Sequence, residues 1–193
     1  MFNMKEQKLY QKYSDGRHWE NHPTLYAESF AKFLKEKHFK GLIVDIGCSN
    51  GRDVKVFSKS NFNVLGIDNV SEEIKTNNKN YPELKFEVQN VEKLTFEDNS
   101  VDAVFMINVI HYVHKEKAIQ EIFRVLKPEG YFFIHFNIDV IDKNDAVDYH
   151  HNQEDILKLV SKFKILQKNI FKRVDQEPVE HKHKIIELVL QKP

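Results

Sequence analysis

The spacing of apolar residues changes period along the chain. Residues 1–24 are polar with scattered aromatics, Tyr10, Tyr13 and Trp19, and read as an arm that packs on a larger body. From Thr24 the spacing turns helical: Leu25, Tyr26, Phe30, Phe33 and Leu34 share one face, with Lys32, Lys35, Glu36 and Lys37 opposite. Leu42–Ile46 is then a short apolar run, as expected of a strand buried on both faces. A glycine-bearing turn, a helix near Asp53–Ser58 and a second strand over Asn63–Ile67 follow. Ser71 is placed to cap the next helix, with Glu72 and Glu73 in the first turn, where the helix dipole favours them. Strands are predicted at Leu84–Gln89 and Val101–Val109, and an amphipathic helix at Lys115–Leu126. Lys127–Gly130 stops that helix before a fifth strand, Tyr131–Phe136.

Strands alternating with helices imply βαβ units and a parallel sheet. The remainder reads differently. Residues 137–152 are polar and are expected to form a loop or lid. Asn152 opens a helix over Gln153–Lys162. Lys164–Phe171 and Lys184–Leu190 are strands with no helix between them, so they should run antiparallel. The expected fold is a three-layer α/β structure with a seven-stranded sheet, mostly parallel with an antiparallel last strand. It reads as one domain over 1–193: an arm and helix to residue 40, a core over 41–136, and a lid, helix and last two strands over 137–193.

Composition narrows the function. The chain has 29 basic and 29 acidic residues, so bulk charge does not recruit nucleic acid. The balance is uneven: +3 over residues 1–40, −6 over 41–150 and +3 over 151–193. The acidic centre suits a cationic ligand. The single cysteine, Cys48, excludes an internal disulfide and a four-thiolate metal site. The N-terminus has no apolar stretch of the secretory kind, and no apolar run is long enough to cross a bilayer. A soluble cytoplasmic protein is expected.

The informative segment is Val44-Asp45-Ile46-Gly47-Cys48-Ser49-Asn50-Gly51-Arg52-Asp53. It leaves a buried strand and enters a helix. In a doubly wound sheet this turn lies at the carboxyl ends of the strands, where ligands bind. The second strand ends in Asp68, 21 residues after Gly47, where an acid can hold ribose hydroxyls. A dinucleotide fingerprint would need glycine at Ser49 and Arg52. No Gly-Lys-Ser/Thr of a P-loop follows the turn.

The segment resembles the first motif of class I S-adenosylmethionine-dependent methyltransferases, with Ser49 in place of the middle glycine of an Asp-x-Gly-x-Gly-x-Gly pattern. Gly66-Ile67-Asp68-Asn69 is similar to the second motif. Asn90, followed by Val91, stands where the family often has an acid beside the adenine. Asn99–Val104, Asn108–Tyr112 and Arg124–Gly130 resemble the entry to strand four, its end, and the turn into strand five. The match covers roughly residues 40–136 in order. It implies a Rossmann-like fold, with S-adenosylmethionine as cofactor and S-adenosylhomocysteine as product. Asp45, Gly47, Ser49, Asn50, Gly51, Asp68, Asn69, Asn90, Val91 and Asn108 are the implied cofactor residues. His111 and Tyr112 stand where the family places groups facing the methyl.

The chain lacks the Pro-Pro pair of amino methyltransferases at the end of strand four, and Cys48 is misplaced for pyrimidine C5 chemistry. A small-molecule acceptor is therefore expected, as in small single-domain tellurite- and thiopurine-type enzymes. Arg17, Trp19 and His150 are candidate acceptor contacts, with Tyr13, His18 and His151 nearby. No metal site is expected, since the ten histidines show no ligand spacing together with thiolates. The alternatives are a protein or RNA acceptor, or a cofactor-binding protein without catalysis.

Overall fold

The computed structural model describes residues 24–144, 146–176 and 180–193. Helix α1 (Leu25–Glu36) is capped by Thr24, whose Oγ1 accepts from the Ala27 N–H at 3.3 Å. Its buried face is Ala27, Phe30, Ala31, Phe33 and Leu34. Leu25, expected on that face, is 77% exposed, two residues before the buried stripe begins at Ala27.

Strand β1 (Leu42–Ile46), α2 (Arg52–Lys59), β2 (Asn63–Asp68), α3 (Ser71–Asn80), β3 (Lys85–Val88), β4 (Val101–Ile107) and α4 (Lys115–Val125) follow in alternation. Ser71 is the first helical residue of α3 rather than its cap. Val70 holds the cap position, and its N–H donates to Asp68 Oδ1 at 3.0 Å. Strand β5 (Leu126–Asp142), β6 (Val147–His150), α5 (Gln153–Leu159), β7 (Lys164–Asp175) and β8 (His181–Gln191) complete the chain. Asn152 caps α5, as expected, by accepting from the Glu154 N–H.

The sheet order is β3-β2-β1-β4-β5-β8-β7, with β6 paired to β5. β1, β2, β3, β4 and β5 pair in parallel, whereas β8 runs antiparallel to both β5 and β7. Alternate strand residues face opposite helical layers. Val44, Ile46, Val104, Met106, Phe132 and Ile134 pack with Ile119 and Ile122 of α4 and Ile156 of α5. Ile43, Ala103, Phe105 and Phe133 pack with α1 and α2. Phe105 centres the second layer, its ring centroid 5.0 Å from those of Phe57 and Phe133 and 5.9 Å from that of Phe30. Burying one such ring contributes about 1.5–3 kcal/mol.

Further expectations change in the second half of the chain. The Lys127–Gly130 stop does not separate α4 from β5. Val101 pairs with Leu126 and Ala103 with Tyr131, so the four residues bulge out of a strand already begun. The segment 137–152 is not a loop. β5 continues to Asp142, where Asp142 Oδ1 accepts from the Asn144 and Ala146 N–H groups, and β6 returns beside it. The alternation Phe136, Ile138, Val140 carries the strand onward, while the polar residues between them mask it. β7 and β8 likewise outrun their apolar cores, reaching Asp175 and starting at His181. Among the described residues no helix is long and apolar enough to cross a membrane.

Candidate functional site

The strand order reverses between β1 and β4, which opens a crevice at their carboxyl ends. The turn after β1 is fixed by the backbone. The Gly47 and Cys48 N–H groups both donate to Ile67 O, at 2.8 and 3.0 Å, and the Gly51 N–H donates to Cys48 O at 2.8 Å. Gly47 and Gly51 both have φ of 74°. A Cβ at Gly51 would lie 2.7 Å from the Phe86 ring, so this glycine is required by packing against β3 as well as by its backbone angle. Ser49, in the place of a motif glycine, also has positive φ, at 47°. Its strained peptide is clamped on both sides: the Ser49 N–H donates to Asp68 Oδ2 at 3.0 Å, and Asn77 Nδ2 donates to Ser49 O at 2.6 Å.

Three carboxylates line the same wall: Asp45, Asp53 and Asp68. Asp45 is 3% exposed, and its Oδ2 is buried with no hydrogen-bond partner. Burial, then repulsion from Asp53, pushes its carboxyl well above the usual range, Arg52 opposes this, and Asp68 adds to it. The Cys48 thiol is pushed far up by burial and by the Asp45 and Asp68 charges, which excludes a nucleophilic thiolate at neutral pH.

The cavity measures about 760 Å³, within the range of about 300–1,000 Å³ for small-molecule sites. One end is formed by Asp45–Ser49, Asp68 and Asn69, Gln89–Val91, and Ile107–Val109 with Tyr112. The other is formed by Tyr26 of α1, Asn137 and Val140 of β5, and Arg173, Asp175, His181 and His183 of the β7–β8 hairpin. Arg173 forks onto Asp175, Nε to Oδ1 at 2.7 Å and Nη2 to Oδ2 at 2.8 Å, and its Nη1 donates to the Tyr26 hydroxyl at 3.1 Å. Burial pushes the Asp175 carboxyl up, but hydrogen bonds from His183 and Arg173 outweigh it and hold the group well below its ordinary range.

Of the residues expected from sequence, Asp45, Gly47, Ser49, Asp68, Asn69, Asn90, Val91, Asn108 and Tyr112 line the cavity. Asn108 sits at φ 59°, a left-handed angle that Asn tolerates, and its Oδ1 accepts from Asn137 Nδ2 at 3.4 Å. Asn90 makes a local turn, its Oδ1 accepting from the Glu92 N–H. Asn50 and Gly51 stand behind the wall rather than on it. His111 is buried behind it too, with Nε2 accepting from the Asn137 N–H at 3.2 Å, so it buttresses β5 instead of facing the cavity. Burial, aided by His151 and Lys115, depresses its pKa and keeps it neutral. His150 is exposed and bonds Asp139 through Nδ1 at 2.6 Å, away from the cavity. Tyr13, Arg17, His18 and Trp19 lie outside the described residues. Tyr26, Asp53, Arg173 and Asp175 were not anticipated. Tyr26, Arg173 and Asp175 come from chain segments far apart in sequence, whereas Asp53 lies inside the first motif and is drawn in by its bonds to Thr24.

A sulfonium cofactor carrying an ammonium fits this wall. The buried Asp45 Oδ2 without a partner is the acceptor that an ammonium N–H would satisfy, and the surrounding acids favour positive charge. Residues 44–134 match the methyltransferase domain family. An uncharacterized methyltransferase of Schizosaccharomyces pombe is 28% identical over half of this chain and 39% of its own length. A sterol 24-C-methyltransferase of Aspergillus fumigatus is 33% identical over 48% of this chain and 27% of its own length. The chain spans well under half the length of these curated relatives. In fold, it matches a SAM-dependent methyltransferase of Methanosarcina mazei at TM-score 0.66 and 19% identity, over 79% of this chain and 92% of that one. It also matches the [4+2]-cyclase SpnF at TM-score 0.65 and 16% identity, over 86% and 81%. Residues 44–134 thus match a methyltransferase domain, and around them the chain has the ordered motifs and the strand order of the class I S-adenosylmethionine-dependent methyltransferase fold.

Proposed function

We propose that residues 1–193 act as a single methyltransferase domain that methylates a small-molecule acceptor by direct in-line transfer. The observation that carries this is the continuity of the cavity, which runs from the β1 turn to the β7–β8 hairpin within one chain. Its far end is walled by Tyr26, Asn137, Arg173 and Asp175, a confined polar recess rather than a basic surface. That shape suits a small acceptor better than RNA or a folded protein.

At the near end Asp45 meets the ammonium, Arg52 the carboxylate, Asp68 the ribose hydroxyls, and Asn69, Asn90 and Val91 flank the adenine. Gly47 and Ser49 let the backbone come close, Asn50 and Gly51 hold the turn, and Asn108 closes the floor. The bound cofactor supplies an electrophilic methyl on a good leaving group. The protein then contributes chiefly positioning and exclusion of water, which is worth about 7–11 kcal/mol at best. Tyr112, on the cavity wall just after β4, is the candidate to stand beside the transferring methyl, and His111 steadies the wall behind it.

The test is incubation with methyl-labelled S-adenosylmethionine and three separate acceptor pools: small metabolites, RNA and protein. Label in the metabolite pool is expected. Label confined to RNA or protein would overturn the small-molecule reading, and binding without transfer to any pool would favour a non-catalytic role.

A further inference from the structure

The end of the β7–β8 hairpin brings together groups that the proposed methyl transfer does not use. Asp175 and His181 are direct partners across the ladder, and His183 follows on the same face of β8. Asp175 Oδ2 lies 3.2 Å from His183 Nε2 and 3.9 Å from His181 Nε2. One ligand-type atom from each of the three residues lies within 4.8 Å of the others. Both histidines are buried, yet all three residues line the cavity. His183 Nδ1 is buried with no hydrogen-bond partner. Spacing in the sequence hides this group, because its third member comes from the neighbouring strand.

We propose that Asp175, His181 and His183 bind a zinc-class divalent cation on the acceptor wall of the cavity. Donors about 2.0–2.1 Å from a tetrahedral ion lie about 3.3 Å from one another. The Asp175–His183 separation already meets this, and the remaining donor separations, 3.9 Å from Asp175 to His181 and at most 4.8 Å across the set, close on binding through side-chain rotation. Two imidazoles and one carboxylate favour such an ion over magnesium or calcium, which take oxygen ligands. The Arg173 fork occupies one lone pair on each Asp175 oxygen and leaves others for the ion, as hydrogen bonds to ligating carboxylates do. Its positive charge weakens the site without closing it. Three protein donors leave open positions on the cavity side, where an oxygen or nitrogen of the acceptor would complete the shell.

The test needs neither cofactor nor acceptor, so its failure is separable from failure of the methyltransferase reading. Untagged protein, dialysed against chelator, is titrated with zinc chloride by calorimetry at pH 7.5. One ion per chain is expected, with affinity reduced at least tenfold in His181→Ala and in His183→Ala, and unchanged in the surface control His150→Ala. Because the core variants could misfold, the wild-type protein is also titrated by NMR, where the His181 and His183 ring nitrogens should shift with one equivalent of zinc. No binding, or binding that leaves those two rings unmoved, overturns the proposal.

Discussion

Asp53 Oδ1 accepts two hydrogen bonds from Thr24, one from the backbone N–H at 3.1 Å and one from Oγ1 at 2.8 Å. The cap of α1 is therefore fastened to the first turn of α2, 29 residues away, at the rim of the cavity. A carboxylate in the first turn also suits the α2 dipole.

Asp53→Ala removes both bonds and leaves the cap without its acceptor. Hydrogen bonds to charged groups contribute about 1.5–3 kcal/mol each. At about 2–4 °C per kcal/mol for a chain of this size, the melting temperature should fall by more than about 5 °C. Thermal denaturation followed by circular dichroism checks this, and an unchanged melting temperature would show that the link carries no stability.

Asp45 is buried at a cost that Arg52 offsets only in part. Asp45→Asn should raise the melting temperature of the ligand-free protein, because a destabilised carboxylate is removed. The same variant should weaken S-adenosylhomocysteine binding at least tenfold. A variant that is both less stable and equally tight in binding would contradict this trade between stability and affinity.

Ser49 has a left-handed backbone that costs roughly 1–2 kcal/mol in a residue with a side chain. Ser49→Gly should recover about half of that, the remainder being lost to the greater freedom of glycine when unfolded. A rise of a few degrees in melting temperature is expected, and Ser49→Val should fall below the wild type. The opposite order would mean that the clamp by Asp68 and Asn77 does not hold a strained peptide.

Burial depresses the pKa of both His111 and His135 below the ordinary 6.5. His151 and Lys115 reinforce this at His111, while Glu187 partly offsets it at His135. A depressed imidazole means that the unfolded chain binds more protons than the folded one. Stability from these groups is fully present above about pH 6.5 and is lost as pH falls below it. Because the raised Asp45 carboxyl titrates with the opposite slope, the series is run in Asp45→Asn, whose melting temperatures at pH 7.5, 6.5 and 5.5 should decline, whereas a flat or rising series there would show that the folded state does not disfavour protonation of these imidazoles.

The parallel core was legible in the sequence because its strands are apolar runs and its turns carry glycine, and neither depends on distant partners. The near end of the site was legible for the same reason: Asp45, Gly47 and Asp68 are bound to strand ends fixed by local pattern. The far end was not. Arg173 reaches Tyr26 across 147 residues, and no periodicity reports such a meeting. The extension of β5 is hidden because polar Asn137 and Asp139 stand between the buried Phe136, Ile138 and Val140, although Asn137 is itself buried against His111. His111 followed a motif to the right strand end, but its ring turns behind the wall.

Calorimetric titration of the purified chain with S-adenosylhomocysteine, beside the same titration with NADH, decides which ligand the β1 turn and Asp68 hold. One site per chain is expected for S-adenosylhomocysteine, with no heat from NADH and an affinity at least tenfold weaker in Asp68→Asn. Binding of NADH in place of S-adenosylhomocysteine, or S-adenosylhomocysteine binding unaltered in Asp68→Asn, would contradict that expectation.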